Sequence, residues 1–254
     1  MRDSTVAIIG AAGAMGGMLA ERAGGAGFAV RRLDKPLADA DLAGAIPNAG
    51  IVLLSVPAEA VPEVAAAAAR HMDGEQIMLD VCSVKVKPVE AMLDAYSGPV
   101  AGTHPMFGPE PGVGPLKVAV TPGRGEESVK RAAEFMQKLG FETFETSAEE
   151  HDRSAAFIQG LNFVTTVSYL ATLSHRPEAL DFVTPSFRRR LEAARKMLTR
   201  DKDMFCALFE ANPYAQEAVR AFRGMLNLAA GGDVDLLAER ARWWWREDDT
   251  NGGA

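Results

Sequence analysis

Short apolar runs punctuate the first part of the chain: Thr5–Gly10, Phe28–Asp34, Gly50–Val56, Gln76–Cys82, Gly98–His104 and Leu116–Pro122. Each is rich in Val, Ile, Leu or Ala and bounded by Gly, Pro or Asp, the pattern of a strand buried on both faces. A seventh, "FETFET", ends near Thr146. Ala-rich or amphipathic segments such as "AVPEVAAAAARHM" and "EESVKRAAEFMQKLG" lie between them. Strand and helix in alternation argue a parallel sheet with helices on both faces.

After residue 147 the period changes. "SAEEHDRSAAFIQGLNFVTTVSYLATLSHR" reads as one long helix, with Ser147 and Glu150 spaced as a capping box at its start. "TPSFRRRLEAARKMLTRDKDMFCALFEANPYAQEAVRAFRGMLNLAAGG" predicts more helices, and "DVDLLAERARWWWRE" the last. No strand pattern and no short repeat occurs there. The reading is an α/β domain over 1–146 and an all-α domain over 147–254. Of Trp243, Trp244 and Trp245, one or two are expected in a core and the third against a partner subunit, making the helical part a homodimer interface. The end, "REDDTNGGA", reads as disordered.

Composition narrows the function. The 254 residues are 48% hydrophobic with a formal charge of -7 and no long basic block, so nucleic acid and anionic membranes are poor partners. Two cysteines, Cys82 and Cys206, offer neither a disulfide framework nor metal-ligand spacing, and no metal is expected. No uninterrupted apolar run reaches the roughly 18 residues of a membrane span. The N-terminus has Asp3 and interrupting glycines where a signal peptide would have a basic and then an apolar region. A cytoplasmic protein acting on a small molecule is the expectation.

"IIGAAGAMGG" follows the first strand and opens a helix. Gly10, Gly13 and Gly16 suit a tight turn, close approach of a pyrophosphate and close helix–strand packing, while the helix start, Ala14 and Met15 included, offers N–H groups to an anion. Asp34 closes the second strand at about the distance expected of the acid that binds an NAD ribose. A carboxylate there accepts hydrogen bonds from ribose hydroxyls and repels the 2′-phosphate of NADP; Arg31, Arg32 and Lys35 nearby favour the opposite choice. NAD is the favoured cofactor, NADP the alternative. Ser55, Val56 and Pro57 close the third strand over the place a dinucleotide would lie. The first domain is thus Rossmann-type.

Substrate-facing residues belong at the C-terminal edge of such a sheet. Ser83 and Lys85 leave one strand end and His104 the next. A neutral imidazole beside a nicotinamide suits an alcohol that must lose a proton as it loses hydride. Ser83 is placed to orient that hydroxyl or the nicotinamide amide, and Lys85 reads as structural or as a long-range charge.

"GTHPMFGPE", with "DVCSVK" upstream and "EEHDRSAAFIQGL" downstream, resembles the prephenate/arogenate (cyclohexadienyl) dehydrogenase family. The resemblance runs from the glycine loop nearly to the C-terminus, without the chorismate mutase domain that some members carry. It implies a Rossmann domain followed by a helical dimerisation domain. It also implies NAD(P)-linked oxidative decarboxylation, as of prephenate to 4-hydroxyphenylpyruvate in tyrosine biosynthesis. By that resemblance His104 engages the C4 hydroxyl, and Arg188 in "TPSFRRRLE" binds a carboxylate, a bidentate match for guanidinium. A helix rotated by one residue would exchange Arg188 with Arg189 or Arg190. His151 and Gln159 match the family's interdomain helix, as site or structural residues alike. Many members carry a further His after that Gln; here Asn162 or Phe163 stands in its place. Prephenate, arogenate and 4-amino-4-deoxyprephenate therefore all stay open as substrates.

Two other classes compete. A β-hydroxyacid dehydrogenase would want a Lys in the interdomain helix, and "HDRSAAFIQGLNF" has none; an imine reductase is a related alternative. A non-catalytic NAD-binding regulator would have no reason to keep Ser83, His104 and Arg188 together.

Overall fold

A computed structural model describes residues 4–112, 114–174 and 176–246. All seven strands form: β1 (Thr5–Ile9), β2 (Ala29–Leu33), β3 (Ile51–Leu54), β4 (Ile77–Asp80), β5 (Val100–Pro105), β6 (Lys117–Arg124) and β7 (Glu142–Glu145). They make one sheet in the order β2-β1-β3-β4-β5-β6-β7. Neighbours are parallel except β5 and β6, which are antiparallel. That exception departs from the expected all-parallel pattern, and the connection explains it. The described residues between β5 and β6 hold no helix to carry a right-handed crossover.

The helices of the sheet region are α1 (Ala14–Gly25), α2 (Asp39–Ala45), α3 (Val61–Ala69), α4 (Val86–Ala95) and α5 (Ser128–Lys138). Strand alternation sorts them into two cores. Ala7, Ile9, Val52, Leu54 and Met78 pack with Leu42, Val64, Val89 and Met92 from α2, α3 and α4. Val6, Ile8, Leu53, Leu79 and Val120 pack with Leu19, Phe135 and Met136 from α1 and α5.

The register sets up the site. Asp80, the last residue of β4, pairs with Gly102, so Thr103 and His104 extend past the end of β4. The antiparallel β6 supports that overhang, with His104 opposite Ala119.

The helical part comprises α6 (Ala148–Ala155), α7 (Asn162–Thr172), α8 (Pro185–Thr199), α9 (Lys202–Ala211), α10 (Ala215–Ala230) and α11 (Val234–Ala241), the last followed by a 3₁₀ turn over Arg242–Trp245. The single long helix expected from Ser147 onward is α6 and α7 with a π-helical turn, Ala156–Leu161, between them. Ser147 Oγ caps the start by accepting the Glu150 N–H at 3.1 Å. Two compact units result. One runs through Ala155 and includes Glu210–Asn212; the other comprises Ala156–Phe209 and the chain from Pro213 on. The unit boundary thus falls inside the helix, at the π turn, rather than at 146/147 where the sequence texture changes.

In the second unit Phe163 is buried and stacks on Phe205, ring centroids 5.4 Å apart. The tryptophan expectation needs correcting: Trp243, Trp244 and Trp245 are all exposed in this chain, and none fills a core. A single 3₁₀ turn carries all three and points them around its axis, so no one face of it can bury them together. The tail read as disordered lies outside the described residues from 247 on.

Candidate active site

The glycine turn is built by exclusion. Gly10 has φ +91°, and a Cβ there would sit 2.2 Å from Ser55 O. A Cβ on Gly16 would sit 2.1 Å from Gly10 O, so the start of α1 can pass this close to β1 only without a side chain. Gly13 is the N-cap of α1; no side chain caps that end and its first turn holds no acid. The first-turn N–H groups of Ala14, Met15 and Gly16 are therefore left for an anion. Gly10 N–H donates to Leu33 O at 2.8 Å, and Asp34 Oδ1 accepts the Ala12 N–H at 2.8 Å. Asp34 thus ties the loop to the end of β2 with one oxygen and keeps Oδ2 for a hydroxyl. Ser55 N–H donates to Ile9 O, and Val56 O accepts from the Cys82 thiol; Pro57 is exposed. This cradle fits a dinucleotide: small where the backbone must approach, uncapped at the helix end, acidic beside it.

The neighbouring strand ends carry a dense polar network. Asp80 terminates an otherwise apolar β4, and Lys85 returns to it as an ion pair with both side chains fully buried. Lys85 Nζ also donates to Thr103 O at 2.6 Å. Asp80 accepts the N–H groups of Cys82 at 2.9 Å and Thr103 at 3.3 Å, while the Thr103 hydroxyl donates to Asp80 O. These bonds clamp β4 to β5 immediately before His104. Ser83 stands half-buried in the loop from β4 to α4.

His104 Nδ1 lies 2.9 Å from His151 Nε2, and His151 Nδ1 lies 2.8 Å from Asp152 Oδ1. Asp152 also accepts the N–H groups of Lys85 at 2.6 Å and Val86 at 2.9 Å, capping α4 from a distant helix. Its carbonyl accepts from Asn212 Nδ2 at 2.8 Å. His151 therefore enters the site with both ring nitrogens committed to protein partners. Sequence reasoning did not single out Asp80, Thr103, Asp152 or Asn212. The signals were an acid ending an apolar strand and a His–Asp dipeptide on a helix.

Burial holds the His104 imidazole well below its ordinary titration range, and the nearby Lys85 ammonium, like any proton taken up by His151, pushes the same way. At neutral pH the ring is an uncharged acceptor. Burial and the nearby Asp80 carboxylate push the Cys82 thiol up, away from thiolate chemistry.

In the second unit, Gln159 sits in the π turn with Oε1 buried and without a hydrogen-bond partner. Asn162 is exposed at the start of α7, whereas Phe163 is spent on packing. Thr184 caps α8, accepting the Phe187 N–H at 3.2 Å, and Pro185 opens the helix. Arg188 is exposed one turn in and lines an open depression of about 450 Å³ with Leu170, Leu191 and Leu198. Arg190 is engaged elsewhere, its guanidinium 4.0 Å from the Tyr169 ring centroid. Arg189 is exposed. Among the described residues no cluster of His, Cys, Asp or Glu could hold a metal ion, and no helix is long and apolar enough to cross a membrane.

Sheet, glycine turn and acid at the end of β2 define a dinucleotide-binding fold of the Rossmann class. Residues 29–142 match the family described as prephenate dehydrogenase, nucleotide-binding domain. It is 34% identical over 208 residues to the T-protein of Enterobacter agglomerans, covering 79% of this chain and 54% of that protein. The chain spans about half the length of the curated relatives it matches first. The Aquifex aeolicus prephenate dehydrogenase, solved with hydroxyphenyl propionate and NAD+, superposes with a TM-score of 0.77 at 20% identity, covering 97% of this chain and 96% of that one. Synechocystis arogenate dehydrogenase gives 0.75 at 15% identity, covering 97% and 99%. At those identities the likeness carries the fold.

Proposed function

We propose that the protein catalyses NAD-dependent oxidative decarboxylation of prephenate to 4-hydroxyphenylpyruvate. The observation that carries this reading is His104, a buried, uncharged imidazole at the C-terminal edge of the sheet, on the strand beside the loop that holds Ser83.

The Gly10–Gly16 turn and the start of α1 hold the pyrophosphate, Asp34 takes ribose hydroxyls, and Ser55, Val56 and Pro57 line the way past. NAD supplies a hydride acceptor. His104 accepts the C4 hydroxyl proton as hydride leaves C4, and Ser83 orients that hydroxyl. C4 becomes a carbonyl. Loss of CO2 from the opposite ring carbon sends its electron pair through the ring to the C4 oxygen, which recovers the proton from His104. Aromatisation drives the sequence. Arg188 binds a substrate carboxylate, with Gln159 and Asn162 as further polar contacts. Asp34 favours NAD over NADP because its charge repels a 2′-phosphate. The exposed Leu180, Phe182, Leu226 and tryptophans support a homodimer through the helical unit.

A second reading keeps the chemistry and changes the substrate to arogenate or 4-amino-4-deoxyprephenate. Asn162 is the observation behind it: an exposed amide at the start of α7, free to hydrogen-bond a different side chain or C4 group. Purified protein is assayed for NADH formation by absorbance with each of the three compounds, then with NADP. Turnover of prephenate with NAD is the expected result. Turnover of another of the three moves the assignment to that compound. Binding of NAD without turnover of any overturns the activity.

A further inference from the structure

We propose that Asp152 and His151 are positioning residues that fix His104 in its Nδ1–H tautomer and receive the charge it takes up. The proposal deepens the proposed function and rests on that reading for its catalytic part. The chain of bonds is fixed from the carboxylate outward. Asp152 accepts two backbone N–H groups, from Lys85 and Val86, at the N-terminus of α4. A group bonded to two donors at a helix start is an acceptor. Its third neighbour, His151 Nδ1, must therefore donate. A neutral His151 then presents a bare Nε2, and the 2.9 Å contact requires the proton on His104 Nδ1. His104 Nε2 is left with its lone pair and no protein partner in the described residues.

The order of groups matters for charge as well as for aim. Burial resists a cation on His104. When Nε2 takes a substrate proton, the Nδ1 proton can pass along the existing bond to His151 Nε2. His104 is then neutral again, protonated on Nε2. His151 carries both protons beside the Asp152 carboxylate, and the reverse hop returns the proton to product. No atom is gained or lost. Asn212, bonded to the Asp152 carbonyl, holds this segment in place. Nothing in the arrangement needs His151 to touch substrate, which separates this role from that of a binding residue.

The test is ¹⁵N NMR of the imidazole rings in the free protein, whose four histidines can be assigned by single variants. The expected spectrum gives His104 a protonated Nδ1 and a bare Nε2. The opposite assignment overturns the proposal, and it does so whichever substrate the enzyme uses. His151→Phe should leave His104 in mixed tautomers and lower kcat on the order of 10²-fold with KM for NAD unchanged. His151→Gln, whose amide oxygen can accept from Nδ1–H, should restore the tautomer and part of the rate. If His151→Phe fails to fold, the wild-type spectrum and His151→Gln still decide. A His104 tautomer unmoved by His151→Phe overturns the relay. Absence of turnover in the wild type, with the expected spectrum, would overturn the substrate assignment and leave the tautomer assignment standing.

Discussion

The two units bury their residues differently. In the first, helices cover both faces of the sheet, and Leu19, Phe135 and Met136 are almost free of solvent. It is dry enough to enclose an ion pair, Lys85 with Asp80, whose side chains have no exposure. In the second, few side chains are fully covered, among them Phe163, Ala194 and Leu208, while Phe182 is 80% and Leu180 74% exposed. Its ion pairs lie in water, as in Lys202 with Asp203. A closed core fixes charges and hydrogen bonds to a fraction of an ångström, which acid–base chemistry requires. An open helical surface of that apolar character is the face that the proposed homodimer would use. The proposed function puts chemistry on the first unit and recognition on the second, a division that matches this difference in packing.

The largest effect should come from breaking the buried pair. Lys85→Met leaves Asp80 enclosed without its cation and should cost about 3–5 kcal/mol of stability, read from urea unfolding. Lys202→Met in the second unit should leave the unfolding midpoint where it was, since its partner is exposed. Equal losses from both would erase the distinction between the units.

Arg188→Gln tests the recognition side. It should raise KM for the substrate with kcat little changed, by a contact worth roughly 1.5–3 kcal/mol. Steady-state kinetics read it. An unchanged KM would pass the carboxylate to Arg189, because Arg190 is already held against Tyr169.

Two glycines sharpen the comparison further, because the same substitution should change sign. Gly16→Ala drives a methyl into Gly10 O and should cost roughly 1–3 kcal/mol and weaken NAD binding. A methyl at Gly224, inside α10, would meet nothing within 4 Å, and Gly224→Ala should stabilise by about 0.5–1 kcal/mol through helix propensity. Thermal unfolding of both variants checks the pair, and a stabilised Gly16→Ala would remove the close-approach argument for the turn.

What could be read in the sequence follows the same division. The seven strands were legible because each is a local apolar run ended by a turn residue. The antiparallel β6 was legible in principle, since "PMFGPEPGVGP" has no helical period and so cannot be a crossover. His104 was found because its neighbours, Pro105 and the following glycines, mark a strand end. Asp80 and Asp152 were not, since each acquires meaning only when the sheet edge and a helix far along the chain close on each other. The same holds for the boundary at the π turn: a helical period continues through Ala156–Leu161, and only packing decides to which unit each turn belongs. Trp243–Trp245 mislead for the opposite reason. Their type predicts burial, but a single 3₁₀ turn finds nothing in its own unit to bury them against.

The smallest expected effect is the pH dependence contributed by His104. Its folded-state titration is depressed by burial, while in the unfolded chain it returns to about 6.5. Between those values the unfolded chain binds the extra proton, so this contribution to stability is complete above about pH 6.5 and declines as pH falls below it. His104→Asn removes the titration. The stability difference between wild type and variant should be constant above about pH 7 and shift against the wild type on acidification, as measured by urea midpoints at each pH. The acid limb of kcat/KM should lie below about pH 6.5 for the same reason, since the neutral ring is the base. A limb above that value would mean that His104 is stabilised as a cation in the free enzyme. The dry first unit would then be wetter at its edge than its packing implies.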